Sequence, residues 1–330
     1  RLPPNKGKHG SPRGQTARHA AVNSEDQSRS LPETVMPDAN LPVVDCWRID
    51  LDAPRPSESD HWIAASEHAR AERFRFEHLQ RRYRATRAGL RALLARQLHT
   101  SPADVRFVRS PRGKPSLDPA HQSPLHFNLT HSEHVAWVAL GPQELGIDLE
   151  VLGREVKMLD SLVHRVTRPH EAQLLLAMPD SLRELAFLLM WTRKESTLKA
   201  WGEGISGMGS LNTLDSQLPD VETLTAFLQR HHPDRLDPAT AVRKPASPRQ
   251  PGDFSSHEYH GPHPIPPALL TDHPEAHQLP QVLIHYPDVR LPTAEGERPP
   301  LYATTFDLGS ELVTVSSPTP FRARIHRFSY

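Results

Sequence analysis

Gly146-Ile147-Asp148-Leu149-Glu150-Val151 alternates apolar and acidic residues with a period of two. That pattern reads as a β-strand with Asp148 and Glu150 on one face and Ile147, Leu149 and Val151 on the other. Upstream of it, residues 43–49 read as a strand and 60–98 as one or two helices. Residues 105–108, 125–129 and 135–140 read as further strands. Downstream come two helical patterns, 169–177 and 181–201, the second stopped by Gly202, and then strand patterns at 301–306, 311–316 and 321–328. Strand–helix–strand material thus stands on both sides of residue 145. This permits an α/β (α+β) protein of two similar halves, 41–145 and 146–330.

Two stretches fall outside that scheme. Residues 1–40 are polar and rich in Gly, Ser, Pro and Arg, and bury too little to offset their ordering entropy, so a disordered tail is expected. Residues from about 231 to 300 are crowded with Pro and His and show no sustained period, which predicts a mobile insertion. Proline is 34 of 330 residues, about twice its ordinary share of roughly 5%, and hydrophobic residues are 37%, so a packed core requires such excluded stretches. His257, His260 and His263 in the insertion read as a solvent-exposed loop rather than a metal site.

Charge and cysteine content narrow the function classes. Lys and Arg number 39 against 39 Asp and Glu, with pI ≈ 7.5. A protein that binds nucleic acid through bulk positive charge is strongly basic, so that class loses weight. The single cysteine, Cys46, excludes an internal disulfide framework and a multi-cysteine zinc site. The longest apolar run is residues 185–191, far short of the roughly 20 residues a bilayer requires, and no signal segment opens the sequence. A soluble, cytoplasmic protein with no membrane partner is the expectation.

Five segments carry chemistry. Two carboxylates about 7 Å apart along one strand face, Asp148 and Glu150, suit a hard divalent cation such as Mg²⁺; a solvated edge strand is the plain alternative. In the helix ending at Gly202, Glu195 and Lys199 interrupt an apolar stripe containing Leu188, Trp191 and Leu198. They read either as a helix-stabilising pair or as partners for a metal and a phosphate. Thr130, His131 and Ser132 end the strand pattern of Phe127-Asn128-Leu129 and offer hydrogen-bond donors at one loop. Arg112-Gly113-Lys114-Pro115 reads as a turn presenting a cation. The helix from Arg70 to Arg96 is dense in arginine; most read as a solvated face, with Arg81, Arg82 and Arg87 as the candidates for phosphate.

In order and spacing these motifs resemble the Sfp-type 4'-phosphopantetheinyl transferases. The resemblance rests on Arg-Gly-Lys-Pro at 112–115, Phe-Asn-Leu-Thr-His-Ser at 127–132 and Gly-Ile-Asp-Leu-Glu at 146–150. Trp-x-x-Lys-Glu-Ser-x-x-Lys-Ala-x-Gly at 191–202 completes it. It implies a pseudodimer of two α/β halves with coenzyme A in the cleft between them. It also implies transfer of the phosphopantetheine arm to a serine of an acyl or peptidyl carrier protein, releasing 3',5'-ADP. Carried onto this sequence, Asp148, Glu150 and Glu195 would hold Mg²⁺. Lys199, Thr130, His131, Lys114, Arg82 and Arg70 would bind the phosphates of coenzyme A, and Glu195 and Lys199 would act in catalysis. Glu171 matches a position where the family often carries another acid. Thr130 replaces the family's usual serine and keeps the hydroxyl; the Pro/His insertion is foreign to the pattern. The two-half architecture makes a monomer sufficient. The alternatives are a non-catalytic relative that binds coenzyme A or a carrier, and a nucleic-acid-binding module built on the arginine helix.

Overall fold

The computed structural model describes residues 41–153, 155–203, 211, 212, 214, 216, 218, 221–231, 286–291 and 301–330. The expected tail and most of the expected insertion lie outside the described residues. Within them the chain runs β1 (Val43–Asp50), α1 (Ala65–Ala71), α2 (Glu77–Leu98), β2 (Phe107–Arg109), β3 (Pro115–Leu117), β4 (His126–Ser132) and β5 (Val135–Gly141). It continues through β6 (Gly146–Val151), α3 (Leu159–Val166), α4 (Pro169–Ala177), α5 (Asp180–Ala200) and α6 (Val221–His231). The last strands are β7 (Tyr286–Leu291), β8 (Leu301–Asp307), β9 (Glu311–Ser317) and β10 (Arg322–Phe328).

Two four-stranded sheets result, ordered β10-β1-β5-β4 and β6-β9-β8-β7, with β2 and β3 forming a separate hairpin. Each half repeats one topology: a strand, a helix, then a hairpin whose second strand returns antiparallel to the first. In the first half β5 returns to β1 after α2; in the second, β9 returns to β6 after α5. The two α/β halves expected from sequence are therefore present.

Strand alternation decides the layering. Val44 and Cys46 of β1 and Trp137 and Ala139 of β5 point toward the second sheet, where they meet Ile147, Leu149, Val313 and Val315. Ile49, Ala136 and Val138 point the other way, onto Leu90, Leu93 and Leu94 of α2. The outer face of the second sheet is covered by α5, whose other side packs with α3, α4 and α6 around Leu175, Leu185 and Leu189. Burying side chains of this size contributes about 1.5–3 kcal/mol each, so the shared sheet–sheet layer holds the halves together. An ion pair also crosses it: Arg48 donates to Glu311 Oε1 from Nε (2.9 Å) and Nη2 (2.7 Å), and Trp137 Nε1 donates to Oε2 (2.7 Å).

Three features depart from the sequence reading. β10 joins the first sheet, parallel to β1, although it belongs by chain position to the stretch 146–330. β1 would otherwise be an exposed edge, and Phe321 and Ile325 bury into the layer both sheets share. Tyr286–Leu291, inside the stretch expected to lack regular structure, pairs antiparallel with β8. Helices α3 and α6, for which no expectation was drawn, complete the second core. Among the described residues no helix is long and apolar enough to cross a membrane.

Candidate active site

The site forms where β6 meets β4 on one side and α5 on the other. α5 lies against β6 because Gly146 has no side chain: a Cβ there would overlap the carbonyl oxygen of Ser196 and the amide nitrogen of Ala200 and stand 3.0 Å from the Lys199 carbonyl carbon. Small hydroxyl residues continue this close seam. Ser196 and Ser316 share a hydrogen bond of 2.7 Å, and Thr314 donates to Thr192 at 2.9 Å. The helix is thereby held one backbone thickness above the strand that carries Asp148.

Lys199 is the hub. Its ammonium donates to Asp148 Oδ1 (2.5 Å), to the Ile147 carbonyl (3.2 Å) and to Thr130 Oγ1 (3.2 Å), and Thr130 donates to Asp148 Oδ1 at 3.4 Å. β4 and β6 are aligned by Asn128, whose Oδ1 accepts the Ile147 N–H at 2.9 Å. Asn128 lies within a quoted motif, yet sequence reasoning gave it no role; a buried amide inside an alternating strand was the available signal. Asp148 is 6% exposed, and its Oδ2 is buried without a hydrogen-bond partner among the described residues. Burial pushes its carboxyl above the ordinary range, against the pull of Lys199. Glu195, one turn before Lys199, is half-buried; burial and then the charge of Asp148 raise it as well.

β4 runs through Ser132 rather than ending in a loop at Thr130, because its pairing with β5 continues to Ser132 opposite Val135. Thr130 pairs with Trp137 and shares its face toward the second sheet, while His131 pairs with Ala136 and projects to the α2 side. The two residues therefore do not form one donor cluster. His131 is reached by solvent, but partial burial and the nearby Lys199 charge hold its imidazole below the usual value.

The remaining candidates divide. Arg82 is bidentate to Asp52 (2.8 and 2.5 Å) beside the turn between β4 and β5, where the Leu51 N–H donates to the His134 carbonyl. Arg70 is exposed on α1 and Arg81 exposed on α2. Arg87 is bound to Glu67, and Arg91 donates to Glu67 and to the Pro102 and Val105 carbonyls. The arginine helix is thus largely tied inward rather than offered as a basic patch. Lys114 donates to Glu144 (2.6 Å), the Leu145 carbonyl (3.1 Å) and the Ala200 carbonyl (3.0 Å). Glu171 is buried, accepting from Lys194 (2.5 Å), Ser216 and the Arg168 amide, so it holds α4, α5 and the following segment together.

Glu150 is half-buried on the same face of β6 as Asp148, at the lining of a cavity of about 520 Å³ with Phe187, Leu188 and Trp191. Among the described residues, no three His, Cys, Asp or Glu side chains are gathered as a metal-holding set. Of the expected Mg²⁺ set, Asp148 and Glu195 lie close enough for the charge of one to raise the other, and Glu150 shares the strand face of Asp148. The Lys199 ammonium offsets the cost of burying the Asp148 carboxylate.

A carboxylate, an ammonium and a hydroxyl thus meet where the two similar halves join. A family model described as the 4'-phosphopantetheinyl transferase superfamily matches residues 144–242, and one described as 4'-phosphopantetheinyl transferase, N-terminal, matches residues 55–143. The 4'-phosphopantetheinyl transferase HetI of Nostoc sp. is 41% identical over 167 residues, covering 49% of this chain and 70% of that protein. A putative 4'-phosphopantetheinyl transferase of Synechocystis sp. is 36% identical over 199 residues, covering 60% and 77%. The 4'-phosphopantetheinyl transferase psf-1 of Bacillus pumilus is 31% identical over 200 residues, covering 56% and 81%. The chain belongs to the 4'-phosphopantetheinyl transferase superfamily. It is a transferase of that kind, modifying carrier proteins with coenzyme A as donor.

Proposed function

We propose that the junction of β4, β6 and α5 is where a carrier serine attacks the diphosphate of coenzyme A. The serine oxygen bonds to the phosphorus bearing the pantetheine arm, the bond from that phosphorus to the bridging oxygen breaks, and 3',5'-ADP leaves. Such a reaction asks a protein mainly for positioning and for neutralising charge. One observation carries the reading: the Lys199 ammonium bridges Thr130 of the first half and Asp148 of the second.

Lys199 and the Thr130 hydroxyl bind the diphosphate oxygens. His131 and Arg82, grouped near the β4–β5 turn, and the exposed Arg70 bind the phosphate of the ribose end. Arg82 exchanges the surface Asp52 for phosphate, a partner its planar fork suits. Glu195, with its proton affinity raised by burial and by Asp148, accepts the serine proton.

Asp148, Glu150 and Glu195 are the set that holds Mg²⁺. The unpartnered Oδ2 of Asp148 supports this, as do the titrations: burial raises Asp148, and burial and then the charge of Asp148 raise Glu195, and a cation would relieve both. Held by these residues, Mg²⁺ would supply positive charge against the departing diphosphate. We place the reaction in the cytoplasm, where a lone free thiol such as Cys46 is the norm, and take a monomer as the working unit.

Incubating the protein with Mg²⁺, coenzyme A and an apo carrier domain is expected to add one phosphopantetheine mass to the carrier. Asp148→Asn and Glu195→Gln should each lower kcat about 100-fold or more with the melting transition retained. Unreduced turnover in either variant removes that residue from the chemistry.

A further inference from the structure

We propose that Lys114 is a positioning residue and not a phosphate ligand: its ammonium staples the start of β6 to the end of α5 and so sets the spacing of Asp148 and Lys199. The inference rests on the reading of those two residues given above.

The staple is carried by the β2–β3 hairpin. Its root belongs to the first half: Phe107 meets Phe127 edge-on at 5.5 Å and lies under the guanidinium groups of Arg87 and Arg91 at 5.0 and 5.2 Å. Its tip is a closed turn, with the Ser110 N–H on the Lys114 carbonyl (2.9 Å), the Gly113 N–H on the Ser110 carbonyl (2.8 Å) and the Lys114 N–H on Ser110 Oγ (3.1 Å). The Lys114 backbone is therefore fixed before its side chain reaches across to the second half.

That side chain is 12% exposed. A lysine ammonium has three donors, and the Glu144 carboxylate and the Leu145 and Ala200 carbonyls take one each. Leu145 immediately precedes β6, and Ala200, the last residue of α5, immediately follows Lys199. A cation at this helix end also meets the negative pole of the helix. From the same turn Arg112 donates to Glu203 at 2.7 Å, and the Glu203 N–H closes the helix on the Leu198 carbonyl at 2.8 Å. Between them Gly202 turns the chain at φ 72°, with the Lys114 stem 3.4 Å from where a Cβ would stand. To bind phosphate, Lys114 would have to release an acceptor, and release of the Ala200 carbonyl would uncap the helix that bears Lys199.

The test uses the full chain with Mg²⁺, coenzyme A and an apo carrier, and calorimetric binding of 3',5'-ADP. Lys114→Met is expected to lower kcat by roughly tenfold to a hundredfold, because small misplacements of reacting groups cost that much. KM for coenzyme A and the Kd of 3',5'-ADP should change by less than about threefold. Lys114→Arg, which keeps charge and donors but not the three-point reach, should show the same split more weakly and serves if the Met variant does not fold. A tenfold or larger rise in the 3',5'-ADP Kd in either variant, or an unchanged kcat, overturns the staple. Should the wild-type chain transfer nothing, the reading of the reaction fails instead. The staple is then judged by amide exchange in the last turn of α5, which Lys114→Met must accelerate.

Discussion

Asp148 and Glu195 show how one physical effect gives two carboxyls a shared use. Burial raises both, Asp148 adds repulsion at Glu195, and Lys199 offsets part of each. An acid whose folded pKa is raised contributes stability below its unfolded pKa and loses it as pH rises through the folded one. The ionised forms are thus costly to the fold, and in the proposed reaction they are the forms that would hold a cation. We expect the acid limb of kcat/KM for coenzyme A to lie above the ordinary carboxylate range of about 3.9–4.3. Raising Mg²⁺ should move that limb to lower pH, because the cation binds only the ionised form. Rate profiles at two Mg²⁺ concentrations decide it; a limb at ordinary values that ignores the metal contradicts the assignment. Glu171 and Lys194 form a contrasting pair, each about 1% exposed on its side chain and enclosed by backbone and hydroxyl partners. Sequence could not separate a working acid from a structural one, since the difference is what surrounds each carboxyl.

At the scale of elements, the site depends on how closely α5 approaches β6. Gly146→Ala would drive a methyl group into the helix backbone at Ser196 and Ala200, where no flexible side chain can yield. We expect a loss of about 3 kcal/mol or more in urea unfolding, at the upper end for overpacking, together with loss of transfer as Lys199 is lifted from Asp148. A variant of native stability and activity would mean that the helix can slide. The helix expected at 169–177 has the bounds the structure shows, and the strand expected at 147–151 begins one residue earlier, at Gly146, because both periodicities are strong and their ends punctuated. β4 was read too short: its last residues are polar, and only pairing with β5 keeps them in the strand. The Arg-Gly-Lys-Pro turn was legible as a turn with a cation, but not what the cation reaches.

For the whole molecule, the contact between the sheets makes one site out of two halves. Glu311 is the polar centre of that layer, with side-chain exposure of 4% against 13% for its partner Arg48. Removing its charge in Glu311→Gln leaves a guanidinium buried without compensation, which typically costs about 3–5 kcal/mol. Urea unfolding of the full chain measures it, and a change below about 1 kcal/mol would show that the apolar layer alone joins the sheets. By itself the sequence determined the family and, through it, the two-half architecture, because motif order and spacing are local properties. The tertiary structure alone decided that β10 completes the first sheet, that His131 and Thr130 part to opposite faces, and that Lys199 meets Asp148. It also decided which arginines are already spent on Glu67 and Asp52. These outcomes depend on contacts between residues far apart in the chain, where burial and competing partners, not residue type, select what each charged group binds.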